Sequence, residues 1–193
     1  MRTDRQVRQR KPASSQQGFT LIEVMMSTVV LTVGMIGVLG VFATAIAATQ
    51  TAQQDMVAKQ LASEAMESIF TARNTSQLQW LQIQNVGAGT NPDGIFITGF
   101  QPINLPGADG ILGTADDANA GPETLQSPGA DGIVGTADDP APMPLTNYQR
   151  SIVIAPWPGS TTLRTVTITV RYNTPQSRIQ KQYILTALIS TYR

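Results

Sequence analysis

The feature that most constrains this chain is a run of thirty residues, 19–48, that holds one charged side chain, Glu23, and no proline. As an α-helix rising 1.5 Å per residue, the run would be about 45 Å long. This length exceeds the hydrocarbon core of a bilayer, which is about 30 Å thick. The run therefore predicts a membrane-spanning helix. A carboxylate inside such a helix costs about 2.5–3.5 kcal/mol on insertion scales, so Glu23 needs a partner.

Charge is distributed unevenly on the two sides of this run. Five basic residues and one aspartate precede Gly18, whereas eight basic and twelve acidic residues follow it. By the positive-inside rule, residues 1–18 lie in the cytoplasm and the chain crosses the membrane once, with its C-terminus outside. The acidic remainder has no broad positive surface, so nucleic-acid binding is not expected.

The composition also limits the chemistry that the protein can perform. The chain contains no cysteine and no histidine. Disulfides, thiolate chemistry and cysteine zinc sites are excluded, and the commonest general base and metal ligand is missing. Catalysis by carboxylates alone is formally open, but we do not expect an enzyme.

The run has three possible interpretations. A secretory signal peptide has an apolar stretch of about 7–15 residues before an Ala-x-Ala cleavage site; such sites occur at 43–45 and 45–47, but the run is about twice too long. A plain signal anchor fits the length of the run and the basic residues before it. It explains neither the charge of Glu23 nor the position of Gly18 at the boundary between the polar and apolar segments. The third interpretation accounts for both residues.

The sequence GFTLIEV at residues 18–24, behind a short basic leader, resembles the processing site of type IV pilins and type II secretion pseudopilins. The resemblance implies that a prepilin peptidase cuts after Gly18, removing residues 1–18 as a leader. It implies N-methylation of the new terminal residue, Phe19. Its implied partners are other pilin or pseudopilin subunits and an inner-membrane assembly platform.

Cleavage after Gly18 suggests a partner for Glu23. The new ammonium group on Phe19 of one subunit can approach the Glu23 carboxylate of its neighbour in a bundle of helices. Desolvation offsets much of the attraction in such a pair. A subunit out of place would leave both charges unpaired, so the pair is expected to set the axial offset. The alternative is that Glu23 only extends its carboxylate to the membrane interface.

The helix is expected to continue beyond the membrane over residues 49–73 as an amphipathic segment. Its apolar residues recur at helical spacing. They are Ala58, Leu61, Ala62, Ala65 and Ile69, with Met66 and Phe70 alongside.

Residues 74–193 are expected to form an external β-sheet domain. Residues 163–172 alternate, with Val166, Ile168, Val170 and Tyr172 on one face, which predicts a strand. A loop at 173–178 precedes an antiparallel return strand over 183–190, and 148–155 is a third candidate strand. The apolar face of the sheet needs a cover, which the helix stripe supplies. The predicted class is α+β, and the resemblance implies the same pilin fold.

A duplication lies within this domain, in an insert spanning residues 106–140. Residues 106–117 read PGADGILGTADD and residues 128–139 read PGADGIVGTADD, so only Leu112 and Val134 differ. Each copy holds one aspartate followed seven residues later by a pair. The six carboxylates are Asp109, Asp116, Asp117, Asp131, Asp138 and Asp139.

These six carboxylates are candidate calcium ligands. Oxygen atoms gathered by glycine turns suit Ca²⁺, which takes six to eight oxygen ligands in general. The spacing is not that of an EF-hand loop. The alternative is a solvated, flexible acidic insert without a metal. No other cofactor is expected.

The strand pattern at the C-terminus, over residues 165–170 and 185–189, resembles the ending of minor pilins and of the minor pseudopilin that sits near the tip. The expected function is therefore a minor pilin-like structural subunit of the inner membrane and then of a surface filament. One alternative is a minor pseudopilin of a type II secretion system. Another is a filament-borne module for calcium-dependent adhesion or binding. The sequence distinguishes neither pilus from secretion pseudopilus nor tip from shaft.

Overall fold

A computed structural model describes residues 18–88, 93–174 and 180–192. The chain divides into two units, Met1–Ala45 and Ile46–Arg193. Helix α1 (Leu21–Asn74) contributes to both units. The elements that follow it are a 3-10 turn (Trp80–Gln82), β1 (Gln101–Pro102), α2 (Asp117–Ala120), β2 (Thr124–Leu125), β3 (Met143–Pro144), β4 (Tyr148–Pro156), β5 (Leu163–Asn173) and β6 (Gln180–Ser190).

In the first unit, every described residue is exposed, including large apolar side chains. Leu21, Val30 and Val41 each expose more than two thirds of their surface. Residues 21–54 of this helix hold a single charged side chain, Glu23. By length and composition, α1 is therefore a candidate membrane span, as predicted.

The second unit has a hydrophobic core between one face of α1 and one face of the sheet. The predicted helix stripe is buried from Ala58 to Ile69, and Ala72 extends it. The alternating residues of β5 meet it from the sheet, with Val166, Ile168 and Val170 fully buried. The predicted α+β class, with a long helix followed by an antiparallel sheet, is confirmed.

The main sheet has the strand order β1-β4-β5-β6, and its pairs are antiparallel. The strands β4, β5 and β6 correspond to the three predicted strands. β6 begins at Gln180, three residues earlier than predicted. The sequence pattern did not reveal these first residues, because they are polar and exposed and show no apolar alternation. It pairs with β5 over eleven residues, from Leu163 opposite Ser190 to Asn173 opposite Gln180. The sequence analysis did not predict β1 or the small β2–β3 sheet.

Asn85 closes the outer edge of β4 beyond β1. Its side-chain amide donates to the carbonyl oxygens of Ile152 (2.7 Å) and Phe96 (3.3 Å). Its Oδ1 accepts the N–H of Ile154 at 2.7 Å. A side chain thus satisfies buried backbone groups that would otherwise need a further strand.

Truncating the sheet side of the core tests this arrangement. Ile168 is fully buried, so Ile168→Ala is expected to lower the free energy of unfolding by about 2–5 kcal/mol through lost burial and a residual cavity. Ile184 lies on the neighbouring strand, is 58% exposed, and is the matched control. Ile184→Ala should change stability by about 0.5 kcal/mol or less. Guanidinium unfolding of the full chain in detergent, followed by tryptophan fluorescence, measures the free energy of unfolding of both variants. Equal losses of stability in the two variants would contradict the placement of Ile168 in the core and of Ile184 on the surface.

Candidate functional site

The predicted processing residues lie at the start of α1. Gly18, Phe19 and Thr20 precede the helix and are exposed, with Phe19 exposing 83% of its surface. Glu23 lies in the first helical turn. Its backbone N–H donates to the carbonyl oxygen of Thr20 at 3.1 Å and to the Thr20 hydroxyl at 3.3 Å. Thr20 therefore caps the helix.

The sequence analysis missed this cap, although the pattern T-x-x-E at residues 20–23 is a recognised signal for a helix start. The position matters for Glu23. Acidic side chains in the first turn interact favourably with the partial positive charge of a helix N-terminus. Part of the electrostatic compensation for Glu23 thus comes from its own helix.

The other polar side chains near Glu23 have partners within the helix. The hydroxyls of Ser27, Thr28 and Thr32 donate to backbone carbonyl oxygens three or four residues earlier, at 2.6–2.8 Å. Hydroxyl groups can therefore enter an apolar environment with their donors satisfied. An ionised carboxylate only accepts hydrogen bonds, so it cannot use the helix carbonyl groups in this way. Glu23 remains the group that needs a donor from elsewhere.

The two acidic repeats adopt the same loop structure. In the first copy, Asp109 accepts the N–H of Ile111 (2.8 Å), and Asp116 accepts the N–H of Asp109 (3.0 Å) and the Thr114 hydroxyl (2.6 Å). The second copy has the same three bonds. They join Ile133 to Asp131 (2.8 Å), Asp131 to Asp138 (3.2 Å) and Thr136 to Asp138 (2.7 Å).

The last aspartate of each copy clamps both ends of its loop. Asp117 accepts the N–H groups of Gly107 (3.0 Å) and Gly113 (2.6 Å). Asp139 accepts those of Gly129 (2.8 Å) and Gly135 (2.5 Å). Backbone N–H groups thus offset the negative charge within each copy.

Glycine is required at specific points of this loop. A Cβ atom added at Gly129 would collide with the carboxylate of Asp138, and one added at Gly107 would collide with that of Asp116. Gly113 and Gly135 have φ angles of 92° and 94°, which side chains other than glycine rarely adopt. The duplicated sequence therefore specifies a duplicated backbone.

The two copies differ in their surroundings. In the first copy, Ile111 and Leu112 are buried in the core, and the backbone N–H of Leu112 donates to the Ser68 hydroxyl on α1 at 3.1 Å. In the second copy, Ile133 and Val134 expose 61% and 53% of their surface. The first copy is thus part of the folded core, whereas the second projects from it.

This difference changes the acidity of equivalent aspartates. Burial raises the pKa of Asp117 above its ordinary value, although the N–H groups of Gly113 and Gly107 act in the opposite direction. Burial also acts to raise the pKa of Asp139, but bonds from three backbone N–H groups and the Thr136 hydroxyl outweigh it and lower the pKa. Hydroxyl bonds from Thr114 and Thr136 lower the pKa of Asp116 and Asp138.

The second copy brings three potential metal ligands together. Among the described residues, one carboxylate oxygen each from Asp131, Asp138 and Asp139 lie within 4.8 Å of one another. The six predicted ligands do not form one cluster of this kind. The last aspartate of the first copy, Asp117, is buried, whereas Asp131 and Asp138 of the second copy are exposed.

A buried arginine that the sequence analysis missed lies beside the first copy. Arg150 on β4 is 4% exposed, and its Nη1 donates to the carbonyl oxygen of Leu61 at 3.5 Å. Burial lowers the pKa of Arg150, while the charges of Glu64, Glu123 and Asp117 raise it. Its charge in turn acts to lower the pKa of Asp117 and of Glu123, which burial raises. The sequence alone does not mark Arg150 as a buried residue, and its position on the inward side of β4 is seen only in the fold.

Comparison with known proteins identifies one segment of the chain. Residues 13–39 match a family model described as the prokaryotic N-terminal methylation motif. No curated protein and no solved structure matches the chain. The match covers Gly18, Phe19 and Glu23 and ends within α1.

The opposite pKa shifts in the two repeats are directly measurable. In a ¹³C-carboxyl NMR titration of the full chain in detergent, Asp117 should titrate above the ordinary value of 3.8 and Asp139 below it. Ionised Asp139 then contributes stability above pH 3.8 that is lost as the pH falls through its lowered pKa. For Asp117 the sign is reversed, because protonation favours the fold as the pH falls through its raised pKa.

The variant Thr136→Val provides the internal control for this titration. It removes the hydroxyl bond to Asp138 and should move the pKa of that residue upward. Asp116 in the first copy should not change, because it has its own threonine. A pKa of Asp117 lower than that of Asp139 would contradict the conclusion that the first repeat is buried and the second exposed.

Proposed function

We propose, from the type IV pilin- or pseudopilin-like prepilin leader that this chain carries, that the protein is a minor pilin-like structural subunit. It is inserted in the inner membrane as a precursor, cleaved by a prepilin peptidase after Gly18, and methylated on Phe19. It then enters a filament through the apolar part of α1. The match to the methylation motif over residues 13–39 is the observation that carries this proposal.

The exposed apolar surface of the first unit supports assembly through α1. A continuous apolar surface of this size is normally covered by a membrane or by a partner protein. Lipid covers them before assembly, and neighbouring helices cover them in a filament. The Ile46–Arg193 unit, which has its own core, is carried on the outside. The protein acts by assembly and not by catalysis.

Glu23 sets the position of a subunit within the filament. Its carboxylate pairs with the ammonium group of Phe19 on a neighbouring subunit, which exists only after cleavage. In an apolar bundle, a misplaced subunit would leave two buried charges unpaired, which is strongly destabilising. The favourable interaction with its own helix terminus reduces the cost while the subunit waits in the membrane.

A minor pseudopilin of a type II secretion system is the alternative within the same class. It would use Gly18, Phe19 and Glu23 in the same way. Neighbouring genes for a secretin and secreted hydrolases favour secretion, whereas genes for retraction motors favour pili.

Neutralising Glu23 tests the assembly step. In the cells that produce the protein, Glu23→Gln should be inserted and cleaved normally but remain in the membrane fraction, because the neighbouring ammonium group lacks a counter-charge. Its amount in sheared filaments should fall at least tenfold. Glu67→Gln, an exposed position on the second half of α1, is the matched control and should assemble like wild type. Normal incorporation of Glu23→Gln would refute the role of the pair.

Calcium binding by the second acidic repeat is a further proposal, favoured by the approach of Asp131, Asp138 and Asp139 within 4.8 Å. Three carboxylates supply part of the six to eight oxygen ligands of Ca²⁺, and carbonyl groups and water supply the rest. Weak binding, with a dissociation constant of about 10⁻⁴–10⁻³ M, is typical of extracellular modules. Bound calcium would make the second repeat a rigid contact surface for adhesion or binding.

Titration calorimetry of the full chain in detergent tests this proposal. Wild type is expected to bind one Ca²⁺ at millimolar concentration, and Asp131→Asn should abolish the heat. The equivalent variant of the first copy, Asp109→Asn, should retain binding, since that copy lacks the second copy's cluster of three oxygens. No heat from wild type at millimolar Ca²⁺, or equal loss in both variants, would refute the site.

A further inference from the structure

A cavity of about 260 Å³ lies between the first acidic repeat, β1 and β4. Its lining includes two exposed residues, Pro102 and Ala118, and residues of the core such as Ile152. The exposed residues place its mouth at the surface, and the buried residues place its floor in the core. Pockets for drug-sized molecules have volumes of about 300–1,000 Å³, so this cavity suits a smaller molecule.

A buried arginine with unused hydrogen-bond donors lines this cavity. Arg150 is 4% exposed, and a guanidinium group carries five N–H donors. Within the described part of the chain, its side chain makes one hydrogen bond, to the carbonyl oxygen of Leu61 at 3.5 Å, which is longer than the usual range of about 2.7–3.2 Å. Its other nitrogen atoms are not sealed from solvent there. Since buried polar groups are normally hydrogen-bonded, these donors need an acceptor in the cavity.

The other charged residue that lines the cavity in the described structure is Asp117, which is 8% exposed. Its two carboxylate oxygens accept backbone N–H groups of its own loop, and each oxygen can accept a further hydrogen bond. Asp117 and Arg150 do not form an ion pair with each other, because the one ion pair among the described residues joins Lys181 and Asp55. Two buried charges of opposite sign thus line one cavity without direct contact.

We propose that this cavity binds a free α-amino acid with a small aliphatic side chain. The carboxylate of the amino acid accepts hydrogen bonds from Arg150, and its ammonium group donates to Asp117. Its side chain lies against Ile97 and Ile152 on the cavity wall. A zwitterion matches the two charged groups of the lining and carries no net charge into the core. Arginine often binds a carboxylate through two parallel hydrogen bonds, which fixes the orientation of the ligand.

Other small ligands fit this lining less well. A simple carboxylate would satisfy Arg150 but would add a negative charge beside Asp117. The charges of Glu64 and Glu123 also act on Arg150, so its surroundings already have an excess of negative charge. A simple cation would satisfy Asp117 but would be repelled by the guanidinium group. A neutral sugar would leave both buried charges without a counter-charge, which is costly. The inference does not depend on the proposed filament or on calcium.

Titration calorimetry of the full chain in detergent, with L-alanine, L-valine and L-leucine as probes, tests the proposed ligand class. Wild type is expected to bind one amino acid per chain at millimolar concentration. Isovalerate is L-valine without the ammonium group, and isobutylamine is L-valine without the carboxylate. Each should bind at least tenfold more weakly than L-valine, because one buried charge is left without its partner. The proposal is overturned if none of the three amino acids binds, if isovalerate or isobutylamine binds as tightly as L-valine, or if D-glucose binds in their place.

A variant at the mouth tests whether binding takes place in this cavity. Ala118 is exposed and lines the cavity, so Ala118→Leu should obstruct entry without altering the core and should weaken L-valine binding at least tenfold. Asn119→Leu places the same side chain at the next position, which is exposed and does not line the cavity. This matched control should bind like wild type, and near-UV circular dichroism checks that both variants retain the fold. Wild-type binding by Ala118→Leu, or equal loss in both variants, would overturn the proposed site.

Arg150→Lys tests the contact with the carboxylate. It keeps the positive charge of the core but lacks the two parallel donors of a guanidinium group. L-valine binding should weaken at least tenfold, whereas the weak binding of isobutylamine, which has no carboxylate, should not change. A general disturbance of the core would weaken both ligands equally, and this outcome or an unchanged affinity for L-valine would contradict the role of Arg150.

Discussion

The burial of one continuous helix in two different environments is the constraint on which the rest of the structure depends. Beyond residue 57, α1 buries a stripe of small and branched side chains against the sheet. Before residue 47, every described residue of the helix is exposed and most are apolar. The chain can satisfy the second part of α1 from its own sequence but not the first. The prepilin-type methylation motif at residues 13–39 and the candidate membrane span point to a membrane as that cover.

The acidic repeats show how the surroundings of a motif set its chemistry. Twelve nearly identical residues form the same glycine-supported loop twice, and backbone N–H groups offset the carboxylate charge in each. The first loop is buried in the core, and burial raises the pKa of Asp117, whereas the pKa of the equivalent Asp139 is lowered. One copy thus contributes to the core, and the other presents its carboxylates and two apolar side chains to the exterior. Duplication therefore produced one loop in the core and one exposed loop.

The sequence predicted those features that depend on local periodicity. The helical spacing of Ala58, Leu61 and Ile69 identified the buried stripe, and the alternation of β5 identified its inward face. Features that depend on distant segments were missed: Asn85 bonds to a strand 67 residues away, and the charge of Arg150 is balanced by carboxylates on three other segments. Identical repeats cannot reveal from sequence which copy is buried. The methylation motif was recognisable because it is a short linear sequence, whereas the Thr20 cap was missed despite a local signal.

The central claim is that the apolar helix is retained and begins at a newly exposed amine on Phe19, which meets Glu23 of a neighbouring subunit. Mass spectrometry of the mature protein isolated from membranes and filaments tests this most directly. The account predicts a chain that lacks residues 1–18 and carries one methyl group on its N-terminal nitrogen. A mature chain that begins near Thr49, with the helix removed, or one that retains the leader in the assembled filament, would contradict it.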